Sequence, residues 1–242
     1  MITNRHIQKI GIMGGMGSHA AAWLFQKMVE LSQGPSDQEY PEILVHNNTR
    51  IPDRTQAIIH GGPDPLPELL RSVEVFNQQE VDLIAIACMT AHYFHAPIQE
   101  AFRGEVINLP RYLAEHISSR YAQQAPLKVG IMATTGTLQT GIIQKELTQF
   151  GIQVIHLTGD EQEHYFMEPI YGTRGVKSGH LSDELKNRFQ TQVHRLKDQG
   201  ADVLLGACSE IPLIITPPSE VPYIDAFEFL AGITLERSQS AR

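Results

Sequence analysis

Residues 81–88 read VDLIAIAC, an apolar run that ends in a cysteine. A short continuous apolar run is typical of a strand that is buried on both faces, as in a parallel sheet covered by helices. Residues 201–208 read ADVLLGAC, so a second strand of the same kind ends in a cysteine at the same place. Both stretches therefore predict strands of buried parallel sheets.

The similarity extends to the first strand of each half of the chain. Residues 9–13 read KIGIM and residues 128–132 read KVGIM, and a short turn and an amphipathic helix follow each of them. Alternation of strands and helices predicts a parallel sheet with helices on both faces. We expect an α/β fold with two similar doubly wound parallel-sheet domains, which a pseudo-twofold axis relates and which enclose the active site in the cleft between them.

The chain contains two cysteines, Cys88 and Cys208, and the repeat places them at equivalent positions. Open α/β sheets bind ligands at the carboxyl ends of their strands, so the two thiols can face each other across one cleft. A hydroxyl residue follows each cysteine at a predicted helix start, Thr90 or Ser209, and a helix N-terminus lowers the pKa of a thiol. Paired thiols suit a reaction in which one removes a proton from a carbon and the other delivers a proton to the opposite face. The alternative is that each cysteine is a small buried apolar residue.

Composition excludes several classes of protein. The 242 residues carry a formal charge of −8 and include no run of lysine or arginine, so the footprint of a nucleic-acid-binding protein is missing. No stretch approaches about 18 consecutive apolar residues, so no membrane span is expected. The first residues lack the apolar segment of a secretion signal. We expect a cytoplasmic protein.

Two stretches suggest other kinds of site. The stretch GIMGGMGS, residues 11–18, is similar to a nucleotide-binding turn, but it lacks the lysine and hydroxyl of a P-loop, and the second strand ends in two asparagines rather than an acid. His92 and His95 follow Cys88 closely enough to form a metal site with Cys208. The 11 histidines are nevertheless scattered, and no second pair accompanies Cys208. We expect no metal.

A series of motifs runs through nearly the whole chain, in the order IGIMGGMGS, HNNTRIPDRT, ACMTAHYF, GIMATTGT, DEQ, IYGTRGVKSG, GACSE and VPYIDAFEF. With these motifs the chain resembles the aspartate/glutamate racemase superfamily, the PLP-independent two-cysteine enzymes, and is most similar to its aspartate racemase branch. The resemblance implies inversion of the α-carbon of aspartate without a cofactor, with Cys88 and Cys208 as the acid/base pair. We also expect a homodimer whose only other partner is a small amino-acid substrate.

The resemblance also implies roles for further residues. It implies that Arg54 and Lys177 hold the side-chain carboxylate of the substrate, and an arginine fork independently suits a carboxylate. It further implies a set of polar groups around the amino-acid head, namely Asn48, Thr90, Thr134 and Ser209. The turn that contains Met16 and Gly17 should line the cleft. The alternatives are a surface ion pair of Arg54 with Asp53 and a solvated Lys177.

Family architecture would return the C-terminal segment to the first domain. The predicted first domain therefore comprises residues 1–104 and 217–242, and the second comprises residues 105–216.

One position departs from the family pattern. The family phrase is Cys-Asn-Thr, whereas this chain has Met89 between Cys88 and Thr90, so a hydrogen-bond donor is replaced by a thioether. The change leaves two alternatives to aspartate racemisation open. The protein is then a racemase for glutamate or a broader set of amino acids, or it binds a small carboxylic acid without racemising it.

Overall fold

The computed structural model describes residues 8–32, 34–124, 126–215 and 220–239, and within these ranges it contains two four-stranded sheets. All pairings are parallel. The strands of the first sheet are β1 (Ile10–Gly14), β2 (Ile43–Asn47), β3 (Leu83–Ile86) and β4 (Glu105–Val106). Those of the second are β5 (Lys128–Met132), β6 (Gln153–Ile155), β7 (Val203–Gly206) and β8 (Tyr223–Asp225). The predicted α/β fold with two parallel sheets is confirmed.

The two sheets have the same topology. Their strand orders are β2-β1-β3-β4 and β6-β5-β7-β8, so β3 and β7 occupy equivalent inner positions. Every residue of β3 and β7 is buried, as expected for apolar runs covered by helices on both faces. The strands that precede the two cysteines are therefore inner strands, and they fix the positions of the thiols at the same edge of each sheet.

Helices connect the strands and cover the sheets. In the first half they are α1 (Ser18–Leu31), α2 (Arg54–His60), α3 (Leu66–Gln78), α4 (His95–Ala101) and α5 (Leu109–Arg120). In the second half they are α6 (Thr135–Thr140), α7 (Ile142–Thr148), α8 (Gly159–Gln162), α9 (Glu168–Tyr171), α10 (Asp183–Asp198) and α11 (Ala226–Gln239). Short 3₁₀ turns lie at Asp37–Glu39, Thr90–Phe94, Val176–Ser178 and Ile211–Leu213, and a π-helical segment at Glu163–Met167. Within the described ranges, none of these helices is long and apolar enough to span a bilayer.

Two short strands lie across the predicted domain limits. β4, at the start of the range 105–216, pairs with β3 of the first sheet. β8 belongs to the range 217–242 but pairs with β7 of the second sheet, and α11 then packs on α1 of the first half. The limit at 216/217 lies outside the described residues. The domain ranges stay a prediction.

The two halves meet through a shared core and one close helix contact. A single cluster of buried apolar residues contains members of both sheets, such as Ile12 and Ala85 on one side and Ile131 and Leu205 on the other. α2 also packs against α6, where a Cβ on Gly136 would lie only 2.5 Å from Thr55 Oγ1. Glycine therefore permits the close approach that brings the loops of both halves around one cavity.

Candidate active site

The two thiols lie at the carboxyl ends of the equivalent strands. Cys88 follows β3 and Cys208 follows β7, and both side chains are free and buried, with exposed fractions of 6% and 4%. Both line the same cavity. The structure thus brings together the two residues that the repeat placed at equivalent positions.

Both halves of the chain contribute to this cavity. Its lining is formed by Arg54, Cys88, Met89, Thr90, Thr134, Tyr171, Lys177, Ala207, Cys208, Ser209 and Glu210. The centre of a water-sized sphere can occupy about 10 Å³ between these side chains, which is room for about one water molecule. The site is therefore closed around its own polar groups, and a ligand as large as an amino acid enters only when some of them move.

Glu210 is the direct partner of Cys208. The Cys208 thiol donates to Glu210 Oε2 at 3.0 Å, and the Ser209 hydroxyl donates to the same oxygen at 3.2 Å. Burial and the Glu210 carboxylate raise the pKa of Cys208 well above its ordinary value. The expectation that a helix start lowers this pKa is therefore wrong for Cys208, because burial and a neighbouring negative charge both disfavour the thiolate.

Lys177 lies in a 3₁₀ turn at the edge of the cavity, where it is mostly buried. Its ammonium donates to Glu210 Oε1 at 2.6 Å and to the Met16 carbonyl at 2.7 Å, and it lies 5.3 Å from the centroid of the Tyr171 ring. Burial lowers the pKa of Lys177, but the Glu210 carboxylate, together with the two nearby cysteines, outweighs burial and raises it. Lys177 is therefore a charged group of the cavity rather than a solvated surface lysine.

Arg54 begins α2, whose N-cap is Asp53. The guanidinium is only 5% exposed and donates through its two terminal nitrogens to the carbonyls of Pro52, at 2.9 Å, and Met16, at 2.7 Å. Burial lowers the pKa of Arg54, but Cys88, Asp53 and Tyr171 outweigh burial and raise it. The alternative of a surface ion pair does not describe this side chain, because it is buried beside the cavity.

The turn after β1 contributes a carbonyl and a small residue. The Met16 carbonyl accepts hydrogen bonds from both Arg54 and Lys177. A Cβ on Gly17 would lie 2.8 Å from Glu210 Oε1, so glycine leaves room for the carboxylate. A carbonyl that faces two cations is the opposite of a phosphate cradle, where N–H groups face the ligand. The turn therefore contacts residues of the cavity wall and lacks the geometry of a nucleotide site, but Met16 and Gly17 are not themselves among the residues that line the cavity.

Three threonine hydroxyls form a cluster where the two halves meet. Thr90 Oγ1 lies 3.0 Å from Thr134 Oγ1 and 2.8 Å from Thr137 Oγ1, and the latter two lie 3.1 Å apart. Thr134 also caps α6 by accepting from the Thr137 N–H. Thr90 and Thr134 line the cavity, so the cluster holds polar hydroxyls beside the thiols.

The surroundings of Met89 and Asn48 do not suit direct contact between these side chains and a ligand. Met89 is 1% exposed and belongs to the apolar core shared by both halves, although it also borders the cavity. The side-chain amide of Asn48 donates to Glu68 and Ser72 of α3, and its oxygen accepts from Arg71. Asn48 is not among the residues that line the cavity, because α3 takes up its hydrogen bonds.

The histidines after Cys88 have structural partners. His92 Nδ1 lies 3.0 Å from the Cys88 carbonyl, and His95 Nε2 lies 3.0 Å from the Val106 carbonyl. Burial, helped by the nearby His95, lowers the pKa of His92 to about 4. Among the described residues, no group of three or more histidine, cysteine or acidic side chains is arranged to hold a metal ion.

Sequence reasoning missed Glu210, Tyr171 and Thr137. A signal for Glu210 was present, because a position-by-position alignment of the repeats sets Glu210, and not Ser209, opposite Thr90. An acidic residue two positions after a buried strand that ends in cysteine is an unusual place for a charge. Tyr171 and Thr137 gave no such signal, since only the packing of α9 and α6 brings them to the site.

A comparison with models of known protein families gives a match over most of the chain. The model of the Asp/Glu/hydantoin racemase family matches residues 13–233. The chain belongs to this family. Family membership supports an amino-acid racemase as the class of this protein.

Individual relatives are distant in sequence. The chain is 24% identical to the broad specificity amino-acid racemase RacX of Bacillus subtilis, over 93% of this chain and 96% of the relative. The aspartate racemase of Picrophilus torridus has a TM-score of 0.80 at 23% identity, with 95% of this chain and 94% of that chain covered. A glutamate racemase of Bacillus anthracis, isoform RacE1, has a TM-score of 0.67 at 17% identity, with 96% and 81% covered. These structures establish that the racemase fold is shared.

Proposed function

We propose that the protein racemises aspartate without PLP or metal, with Cys88 and Cys208 as the two acid/base groups on opposite faces of the α-carbon. The observation that carries the proposal is that two buried, free thiols from equivalent strand ends line one closed cavity with Arg54 and Lys177. In each direction one thiolate removes the α-proton and the opposite thiol supplies a proton. The configuration inverts because the two protons move on different faces.

The reaction needs stabilisation of negative charge. Removal of the α-proton builds carbanion character beside the α-carboxylate, and without PLP the site itself must supply hydrogen-bond donors and positive charge. The hydroxyls of Thr90, Thr134 and Ser209 are donors at the cavity wall. A closed, water-poor cavity strengthens their effect, since electrostatic interactions grow as the local dielectric constant falls.

Glu210 gives Cys208 a route for its proton. In the structure Cys208 is held as a thiol that donates to Glu210. When Cys208 acts as the base, its S–H bond breaks and Glu210 accepts the proton, which leaves a thiolate facing the substrate. When Cys208 acts as the acid, the thiol proton passes to the carbanion instead. Glu210 is therefore a positioning group for the second thiol.

Arg54 and Lys177 are the proposed anchors of the distal carboxylate. The Arg54 Nε atom is buried and has no hydrogen-bond partner in the described part of the chain, so it can still donate to a ligand. Two cations close to one cavity favour a substrate with two carboxylates over a neutral amino acid. A fixed distal carboxylate would hold the α-carbon between the thiols, which converts binding energy into correct alignment.

A second candidate is a racemase with broader specificity. The observation that favours it is the ion pair of Lys177 with Glu210, because one of the two proposed anchors is already neutralised by the protein itself. The name of the Bacillus subtilis relative points the same way. Both candidates share the two-thiol chemistry and differ only in the groups that the site accepts beyond the β-carbon.

Incubation of purified protein with each enantiomer of aspartate, glutamate and alanine in deuterated water tests the proposal. We expect both aspartate enantiomers to lose optical rotation while deuterium enters the α-position, with aspartate as the fastest substrate. The matched control is protein treated with hydroxylamine and EDTA, which should retain its full activity. Exchange that requires added PLP or a metal, or no exchange with any amino acid, would overturn the proposal.

A further inference from the structure

Glu210 is a charged residue of the cavity wall. The side chain of Glu210 is only 4% exposed, and both of its oxygens are engaged. One oxygen accepts from Lys177, and the other accepts from Cys208 and Ser209. Because Gly17 lacks a side chain, nothing separates Glu210 from the turn after β1. An internal carboxylate thus lies on the ammonium that is the proposed anchor for a substrate carboxylate.

The contact between Glu210 and Lys177 affects how a ligand carboxylate can bind. Lys177 bonds one charged acceptor, Glu210, and one neutral acceptor, the Met16 carbonyl. The third N–H of Lys177 is open to a ligand, but a carboxylate bound there shares the ammonium with the like charge of Glu210, so an exclusive charge pair requires it to take the place of Glu210 Oε1. The bond to Met16 does not have to break, so Lys177 can stay where it is while its acidic partner is exchanged.

The size of the cavity supports the same exchange. A cavity with room for about one water molecule cannot hold an amino acid, and Lys177 and Glu210 both belong to its wall. A dicarboxylate that enters must therefore displace internal groups, and a carboxylate on Lys177 is replaced at little electrostatic cost by another carboxylate. A neutral amino acid must also displace groups of the wall, but it has no second carboxylate that can replace Glu210 on Lys177.

We propose that Glu210 competes with the distal carboxylate of the ligand for Lys177 and so sets how strongly dicarboxylic amino acids are preferred over neutral ones. This inference rests on the proposed function for its placement of the ligand in this cavity. A strong internal pair narrows the difference between the two substrate classes, because the gain from the new pair is offset by the loss of the old one. Removal of the Glu210 charge should widen that difference.

Ligand binding without turnover tests the competition. Succinate has two carboxylates and propionate has one, and neither has an amino group or can be racemised. Calorimetric titration of wild type and Glu210→Gln with both acids should show succinate binding about tenfold or more tightly in the variant. Propionate affinity should change by less than about twofold, because propionate has no second carboxylate for Lys177.

A matched control separates local competition from net charge. Glu168→Gln removes one negative charge from an exposed carboxylate that pairs with Arg188 outside the cavity. We expect both acids to bind this variant as they bind wild type. An equal gain for succinate and propionate in Glu210→Gln, or no gain for succinate, would overturn the proposal.

If Glu210→Gln does not fold, as the absence of a thermal unfolding transition would show, a second variant provides the test. Lys177→Gln should weaken succinate binding and leave propionate binding within about threefold, since only the dicarboxylate uses Lys177. Equal losses for both acids would contradict the inference. Deuterium exchange in wild type decides the proposed function separately, because these titrations require no catalysis.

Discussion

The two thiol sites occupy equivalent places in the repeat but differ in their charged neighbours. Cys88 is followed by Met89 and Thr90, which carry no charge, and Arg54 lies close by with its pKa raised in part by Cys88. Cys208 is followed by Ser209 and Glu210, and its thiol donates to the carboxylate. The two halves of the repeat thus place their thiols in different electrostatic surroundings. We therefore do not expect the two thiols to be interchangeable.

The strands beside the two thiol strands differ as well. β4 carries Glu105, which is partly exposed and binds Arg237 and Tyr112. Its counterpart β8 carries the partly buried Asp225, which accepts from the Tyr223 hydroxyl at 3.1 Å. At the cavity the second half therefore contributes a carboxylate, Glu210, and a cation, Lys177, whereas the first half contributes the cation Arg54 and the hydroxyl of Thr90.

The largest effect should come from removal of either thiol. Cys88→Ser and Cys208→Ser should each lower the rate of aspartate racemisation by about a thousandfold or more, because a serine hydroxyl is a very weak acid/base near neutral pH. The measurement is optical rotation from both enantiomers, with α-deuterium incorporation alongside. Activity above about a tenth of wild type in either variant would break the two-thiol comparison.

Glu210→Gln should have the next largest effect. We expect kcat for aspartate to fall about ten- to a hundredfold, because Cys208 loses its proton acceptor. Burial and Glu210 raise the pKa of Cys208, so removal of the Glu210 charge should lower that pKa and move the corresponding limb of the pH–rate profile to lower pH.

Thr90→Val is the matched change at the aligned position of the first half. Valine is similar in size to threonine but lacks its hydroxyl. The variant should therefore leave in place the limb of the pH–rate profile that is assigned to Cys208. A limb that moves equally in both variants would show that Glu210 has no specific effect on Cys208.

Met89→Asn should affect stability more than catalysis. Met89 is packed in the core that both halves share, so an amide there would lack partners and should cost about 1–3 kcal/mol of the free energy of unfolding. Denaturant unfolding and aspartate kinetics on the same variant provide the test, with Met89→Leu as a control that conserves volume and should cost under about 1.5 kcal/mol. A rise in kcat/KM with unchanged stability would instead indicate that Met89 replaces a substrate-binding donor.

We expect Asp225 to cause a smaller, pH-dependent difference between the halves in their contributions to stability. Burial raises its pKa from 3.8 to about 6, against the opposing hydrogen bonds from Phe227, Glu228 and Tyr223. Because the folded state binds the proton more tightly, stability should fall as the pH rises from about 4 to about 6, and should then stay level. Asp225→Asn should abolish this slope in melting temperatures measured from pH 4 to 8. Glu105→Gln on β4 is the control and should leave the slope unchanged.

The fold could be predicted because its decisive signal is local. The continuous apolar runs that end at Cys88 and Cys208 favour inner strands of a covered sheet, and their repetition predicts equivalent positions for both thiols. β8 was harder to predict, since a strand of three residues has too little pattern to show which sheet it joins.

The site could be predicted only in part. Arg54, Lys177, Thr90, Thr134 and Ser209 line the cavity, as the resemblance implied, but their catalytic and binding roles stay predictions. Side-chain direction explains the difference at Asn48, whose amide is drawn to α3 by Glu68 and Ser72 rather than to the cavity. Glu210 was overlooked because Ser209 was paired with Thr90 in the repeat, and because its contact with Lys177, distant in sequence, forms only in the folded chain.

The Met16 carbonyl shows how such a site can change its sequence and keep its chemistry. This one oxygen accepts from Arg54 of the first half and Lys177 of the second, so it uses both of its lone pairs. Every amino acid supplies a main-chain carbonyl. Evolution is therefore free to replace residue 16 wherever the new side chain fits its buried setting, and comparisons of side-chain identity among relatives would overlook one of the contacts that joins the two halves.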